Sequence, residues 1–335
     1  MRDSRYDEIF LFFEEKEHKY TDSLGNNYKS VTTLIHDNYV PEFDKKFWLR
    51  RKAREQGISE KTLAKQWENI TKEACERGTA THNGLEDAIK DVSKFKNAIK
   101  YLTNISSGRV VSVADIPNFK AKPLDIEAFK KATHYKYDEI YRVFDFYIQR
   151  GYTIYSEIAA YLIDYRISGT IDILCIRDTD FVILDWKTNR NGLQFEAGYF
   201  KKDKTTIPAQ ITNKYIVTKD TMLPPLQHMP NCNGTHYTMQ LSMYAIMVEL
   251  ILGIPCMGLG LCHIGSPFVK NAYGMPYRDE HNQYPIDPNG EETIQWYRIP
   301  YKRNEAKLIL ADRIVEIKSD NKNNTNQLNL FSDEQ

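Results

Sequence analysis

Two short apolar runs meeting at a polar turn constrain this chain more than any other stretch. Thr170–Arg177 (TIDILCIR) and Asp180–Thr188 (DFVILDWKT) are rich in β-branched and aromatic residues and are separated by Asp178 and Thr179. That pattern predicts an antiparallel β-hairpin. A turn centred between Asp178 and Thr179 opposes Asp172 to Asp185 and Thr170 to Lys187. Side-chain alternation then gives one face made of Ile171, Ile173, Cys175, Val182, Leu184 and Trp186. The other face brings Asp172, Asp185 and Lys187 together.

Directly opposed carboxylates on a sheet lie about 5 Å apart at Cβ and repel each other. A divalent cation would offset them, since Mg²⁺ and Mn²⁺ favour oxygen donors and take one or two carboxylates together with water and phosphate. Lys187, two residues beyond Asp185, places an ammonium where it can orient a water or steady charge on a phosphorane. The same three residues would also suit an exposed hairpin face carrying a surface ion pair. The residues alone leave both readings open.

Around the hairpin the chain has room for one substantial core, with 335 residues of which 41% are hydrophobic. No run approaches the roughly 18 apolar residues of a membrane span, and MRDSRYDEIF lacks a signal peptide's apolar core, so a cytoplasmic protein is expected. Forty-five basic residues balance forty-five acidic ones, and the pI is near 7.1, so net charge gives nucleic-acid binding no support. Basic clusters do occur at 45–54, 94–100, 120–136 and 201–204, mostly as solvated faces. The five cysteines form no C-x-x-C pair, which argues against a disulfide framework or a zinc ribbon.

In chain order, strands are expected over Ile9–Tyr20 and Tyr28–Val31, joined by a turn at Asp22–Asn27, with Ser30 or Thr32 capping a short helix through Ile35. Helical spacing covers Phe43–Glu76, with Phe47, Trp48, Leu63 and Trp67 as core anchors. A further helix, Thr71–Ile89, is interrupted at Gly78 and carries His82 and Glu86 on one face. Residues 91–124 read as an insertion, part of a helical insertion over about 88–150, and Leu124–Arg150 as one helix ended by Gly151. Thr153–Ile163 is a strand. Asn191–Thr235 is a long polar loop, His236–Leu252 a helix, Cys256–Ile264 and Thr293–Pro300 late strands, and Arg303–Lys318 a closing helix. These elements form one domain over 1–318, followed by a polar, Asn-rich tail over 319–335 that lacks the apolar content to fold.

The pattern Gly169-Thr170-Ile171-Asp172, then an apolar run into Asp185-Trp186-Lys187-Thr188-Asn189, resembles the core of the PD-(D/E)XK nucleases, in particular the RecB-like and phage exonuclease branch. Three more matches stand in the family's order. Arg77-Gly78-Thr79-Ala80-Thr81-His82 resembles the branch's upstream His motif, Glu157 its early acidic position, and Gln240 with Tyr244 its Q-x-x-x-Y helix. The resemblance covers residues 77–244. It implies an α/β fold with a central mixed sheet flanked by helices, a restriction-endonuclease-like core. It also implies a metal-dependent DNA nuclease of replication, recombination or repair, more an exonuclease than a structure-specific endonuclease. On this reading Asp172, Asp185, Lys187 and Glu157 are catalytic. His82, Asp172, Asp185 and the Trp186 backbone carbonyl hold Mg²⁺ or Mn²⁺, and Gln240 and Tyr244 bind substrate. Some relatives carry a four-cysteine iron–sulfur cluster; the cysteine spacing here does not match, and none is expected.

Gln327-Leu328-Asn329-Leu330-Phe331 places three large apolar residues in the hydrophilic tail. The pentapeptide resembles the bacterial sliding-clamp-binding motif, with Asn329 where Ser or Asp is commoner. Gln327, Leu328, Leu330 and Phe331 would then be partner-binding. A non-catalytic, clamp-tethered DNA-binding protein is the alternative of another class. Retention of Asp172, Asp185 and Lys187 together argues against it.

Overall fold

The structure of the protein, a computed structural model, describes residues 11–14, 19–90, 100–102 and 123–332, with the side chains of Phe13, Lys90, 100–102 and 321–332 outside that description. It opens with β1 (Leu11–Glu14), β2 (Lys19–Asp22) and β3 (Asn27–Ser30). The expected strand Ile9–Tyr20 is thus two antiparallel strands, with Glu14 opposite Lys19, because the charged run Glu14–His18 offers no apolar alternation to carry one strand across. The turn that follows is as expected. Asp22 Oδ1 accepts the N–H groups of Leu24 and Asn26 and closes it.

Ser30 then caps α1 (Val31–Tyr39) by accepting the Thr33 N–H at 3.0 Å. Helix α2 (Lys45–Gln56) starts at Asp44 and stops at Gly57, which adopts the left-handed φ of 65° that suits a glycine terminator. Helix α3 (Glu60–Lys90) runs unbroken through Gly78, contrary to the expected interruption. One helical glycine costs only about 1 kcal/mol, and this one clears space for a close approach described below. Of the expected anchors only Leu63 is fully buried. Phe47 is 52% exposed, and Trp48 and Trp67 are half-buried, because α2 packs chiefly on α3 and turns Phe47 outward.

After β4 (Lys100–Leu102) come α4 (Ile126–Ala132) and α5 (Asp138–Ile148), two helices where one was expected. The chain reverses between them through His134 and Tyr135, at φ 53° and 56°. On one straight helix Phe129 and Phe144 would lie about 22 Å apart; the reversal brings their rings to 5.5 Å in a shared core. Most of the segment 91–124 lies outside the described residues.

The centre is β5 (Thr153–Leu162), β6 (Ile167–Arg177) and β7 (Asp180–Lys187), with β6 and β7 paired in the expected register from Arg177↔Asp180 to Ile173↔Leu184. Asn191–Thr235 is not a plain loop: β8 (Gly198–Asp203) and β9 (Gln210–Val217) form a two-stranded antiparallel arm. Its Tyr, Phe, Ile and Val residues supply the strand propensity that the flanking prolines mask in the sequence. Next come α6 (Asn233–Leu252), β10 (Cys256–Gly265), β11 (Thr293–Ile299) and α7 (Arg303–Ser332). Helix α7 outruns the expected Arg303–Lys318 and extends into the segment expected to be unfolded. Extending an existing helix is far easier than nucleating one.

The sheet is mixed. β10 lies parallel to β7, β3 parallel to β6, and the remaining pairings between neighbours in the central sheet are antiparallel, save β4 with β5. One face carries α1, α6 and α7; the other carries α3, α4 and α5. This is an α/β architecture in three layers, its core divided by the sheet. Both faces of the β6–β7 hairpin are therefore covered, and the polar face is not the exposed one that an ordinary surface ion pair would need. Ile171 also departs from expectation by packing with the α6 side rather than with Ile173 and Trp186. Among the described residues no helix is long and apolar enough to cross a membrane.

Candidate active site

Strand β6 is flanked on one edge by β5 along its length, whereas its other edge changes partner. Ile167 and Ser168 pair with β3, and Ile173–Arg177 pair with β7. Asp172 stands where the sheet forks. The β7 ladder stops at Ile173↔Leu184, and in its place the Asp172 carboxylate accepts the Trp186 N–H at 3.0 Å. A side chain has replaced a main-chain acceptor, so Asp172 is held against Asp185 and Lys187 by the strands themselves.

Glu157 comes to the same point from β5. Its neighbours pair as Ser156↔Ile173 and Ile158↔Ile171, which sets Glu157 opposite Asp172, and its φ of 55° breaks the regular strand there. Left-handed backbone at a non-glycine residue costs of order 1–3 kcal/mol and persists only where the surroundings impose it. His82 arrives from α3, its Nδ1 3.6 Å from Asp172 Oδ2. Gly78, one turn earlier, is what permits that approach: a Cβ there would stand 3.1 Å from Thr188 Oγ1, just past the end of β7. The sequence expectations for Asp172, Asp185, Lys187, Glu157 and His82 thus converge in one place.

Burial decides the electrostatics. The Asp185 side chain is 2% exposed, and its Oδ2 forms an ion pair with Lys187 Nζ. Burial, and next the Asp185 charge, push the Asp172 carboxyl well above the ordinary range. Burial pulls the Lys187 ammonium down, but Asp185 and Asp172 outweigh it and the net shift is upward, so Lys187 stays charged. His82 is driven down, by burial first and then by Lys187, which keeps the imidazole neutral at pH 7 although the Trp186 carbonyl and the acids favour its proton. One ammonium faces two carboxylates, with a third close by.

Gln240 and Tyr244 of α6 cover this cluster. Gln240 Nε2 donates to the Tyr244 hydroxyl at 3.3 Å, and burial, with smaller contributions from Asp185 and Asp172, raises the Tyr244 phenol so that it remains a neutral donor. Tyr244 reaches β6 only because residue 169 is glycine, where a Cβ would fall 2.4 Å from Tyr244 Cε1.

Three residues support the lysine, of which Tyr237 and His263 have no distinctive sequence signal and Asn189 closes the quoted Asp185–Asn189 pattern. Lys187 Nζ lies 4.5 Å from the Tyr237 ring centre, Asn189 Nδ2 donates to the Tyr237 hydroxyl at 2.9 Å, and His263 Nε2 is 2.7 Å from the Asn189 carbonyl. Tyr237, one turn before Gln240 on the helix expected over His236–Leu252, thus forms a cation–π floor under the lysine. Helical spacing could have linked Tyr237 to Gln240 and Tyr244, but nothing in the sequence links it to β7.

The donors suit a hard divalent cation: Asp172 and Asp185 offer carboxylate oxygens, His82 an imidazole nitrogen and Trp186 a carbonyl. The buried Asp185 Oδ2, paired here with Lys187 Nζ, is the oxygen such an ion would share with the ammonium. Among the described residues, no three His, Cys, Asp or Glu side chains already close on one point as a finished cage. The side chains of Gln327, Leu328, Leu330 and Phe331 lie outside the described residues. Comparison with protein-family models, with curated proteins and with solved structures gave no match.

Proposed function

We propose that this chain is a metal-dependent deoxyribonuclease with a restriction-endonuclease-like core, acting as an exonuclease on DNA phosphodiester bonds. The observation that carries the reading is the burial of Asp172 and Asp185 close enough to act on each other at the β6 fork, with the Lys187 ammonium against them. Packing alone does not account for it. Two carboxylates buried side by side lower stability unless a cation compensates them, so their presence at one fork points to a use.

Asp172 and Asp185 would hold Mg²⁺ or Mn²⁺, with Glu157, His82 and the Trp186 carbonyl around them. The bound ion supplies Lewis acidity toward the phosphate and lowers the pKa of its water. Lys187, charged and steadied over Tyr237, donates from Nζ to the attacking water or to a non-bridging phosphate oxygen. Neutral His82 can accept a hydrogen bond on the same side. Gln240 and the Tyr244 hydroxyl hold the phosphate from above, and α6 excludes bulk water.

Purified protein with end-labelled linear DNA and Mg²⁺ or Mn²⁺ should release nucleotides from an end and leave closed circles intact. Asp185→Ala and Lys187→Ala should each abolish cleavage. Undiminished cleavage in EDTA, or parental activity in Lys187→Ala, refutes the reading. Cutting of circular or branched DNA would redirect it to an endonuclease.

A further inference from the structure

Beside the carboxylate pair, between the segment leaving β7 and the β8–β9 arm, lies an open cleft of about 390 Å³. Arg190, Asn191 and Lys202 supply its polar wall, and Tyr199, Phe200 and Tyr215 supply flat rings. Arg190 is three residues beyond Lys187, at most about 10 Å along extended chain. The cleft therefore adjoins the proposed site of cleavage without sharing its residues.

Its charges are unbalanced. Burial first, then Arg77 and Arg278, pull the Arg190 guanidinium down, with the Tyr284 ring 3.6 Å beneath it acting the other way; no described carboxylate acts on it. Burial and then Arg278 likewise pull Lys202 down, and Glu55 opposes them. Like charges gathered in a part-buried wall are costly unless an anion joins them. The hydrogen bonds are incomplete as well. Arg190 Nε, Arg278 Nε and Asn191 Oδ1 are buried and have no hydrogen-bond partner, in a fold where buried polar groups are ordinarily satisfied. Of these, Arg190 and Asn191 line the cleft, a cationic donor and an acceptor that a phosphate and a base N–H would complete, with the Arg278 charge near enough to act on Arg190 and Lys202. Phe200 and Tyr215, held edge to face at 5.0 Å, give a base an apolar wall.

We propose that this cleft is a second substrate subsite, taking the nucleotide next to the cleaved bond with its phosphate on Arg190 and Lys202 and its base against Phe200 and Tyr215. This rests on the nuclease reading for its substrate. The arm formed by β8 and β9, a two-stranded sheet separate from the central one, is then a binding element.

The test is titration of the full chain in EDTA, at constant ionic strength, with thymidine 5′-monophosphate and with inorganic phosphate. The nucleotide should bind about fivefold or more tightly than phosphate, the low end for one stacked base. Lys202→Gln and Arg190→Gln should each weaken both ligands about tenfold, as loss of a charge-assisted contact does. Lys202→Gln is the first variant to examine, because it leaves the Arg190–Tyr284 stack in place; thermal melting confirms that each variant is folded. No nucleotide binding by the parent, equal affinity for nucleotide and phosphate, or parental affinity in both variants overturns the proposal. A protein that binds the nucleotide through Lys202 yet cleaves no DNA with any divalent metal keeps the subsite and loses the nuclease reading. Metal-dependent cleavage without nucleotide binding does the reverse.

Discussion

Gly169→Ala tests the contact by which α6 closes over the carboxylates. The new Cβ would stand 2.4 Å from Tyr244 Cε1 and 3.0 Å from its hydroxyl oxygen, against an optimum of about 3.5–4.0 Å. Tyr244 is 4% exposed and packed in the larger core, so its ring must shift by about 1 Å among close neighbours. Over-packing of this kind costs about 1–3 kcal/mol. Replacing a strand glycine by alanine recovers about 0.5–1 kcal/mol, so the net loss should be about 1 kcal/mol. Urea unfolding should show a lower midpoint at unchanged slope, and any cleavage activity should fall as the Tyr244 hydroxyl moves. Tyr244→Ala alone should cost about 3–5 kcal/mol, the range for removing a buried aromatic. In that background the sign reverses: Gly169→Ala should become neutral or stabilising, because the ring it strikes is gone. A penalty under about 0.5 kcal/mol in the parent, or an unchanged penalty with Tyr244→Ala, would refute the steric argument.

Lys187→Met, measured in EDTA, should lose about 3 kcal/mol by leaving Asp185 buried without its partner. Added Mg²⁺ should recover part of that loss, and Asp185→Asn in the same chain should recover most of it without metal; parental melting of Lys187→Met in EDTA would contradict this. Burial, with His36 second, holds the His236 imidazole down to about 4 against its ordinary 6.5. Its folded-state pKa lies below the unfolded one, so the unfolded chain binds the proton first. Stability is then complete above pH 6.5 and declines as pH falls towards 4, by about 2 kcal/mol once its partial exposure is allowed for. The difference in unfolding free energy between parent and His236→Gln should shrink over that window, and a flat difference would reject it. Deleting residues 326–335 should leave cleavage of short oligonucleotides unchanged and remove binding to a bacterial or phage sliding clamp, read by surface capture of the clamp. Equal capture by Leu330→Ala/Phe331→Ala would return the tail to an ordinary terminus.

The hairpin was legible because its information is local. A period of two, a two-residue turn and a sharp contrast between aliphatic and acidic positions set the pairing of β6 with β7 from Arg177↔Asp180 to Ile173↔Leu184, and so bring Asp172 beside the end of β7. The capping of α1, expected at Ser30 or Thr32 and made by Ser30, was readable for the same reason, since it depends on residues within a turn of one another. His82, Glu157, Gln240 and Tyr244 were found through the order of their motifs along the chain, and no spacing rule would have brought them to one point.

Other features depended on contacts across the chain. The α4–α5 reversal answers to the packing of Phe129 on Phe144, the exposure of Phe47 to the position of α2 outside the main layers, and the continuity of α3 at Gly78 to the proximity of Thr188. The β8–β9 arm was hidden because its strands pair with each other and bury little, so they lack the apolar alternation that marks a half-buried strand. Most consequential is the covering of both hairpin faces. By itself the sequence determined that two carboxylates and a lysine share one side of a hairpin. Only the tertiary structure decided that α6 closes over that side and turns three solvated charges into a buried cluster in which the Asp172 carboxyl is pushed well up, because desolvation is a property of everything packed around a group and not of its neighbours in sequence.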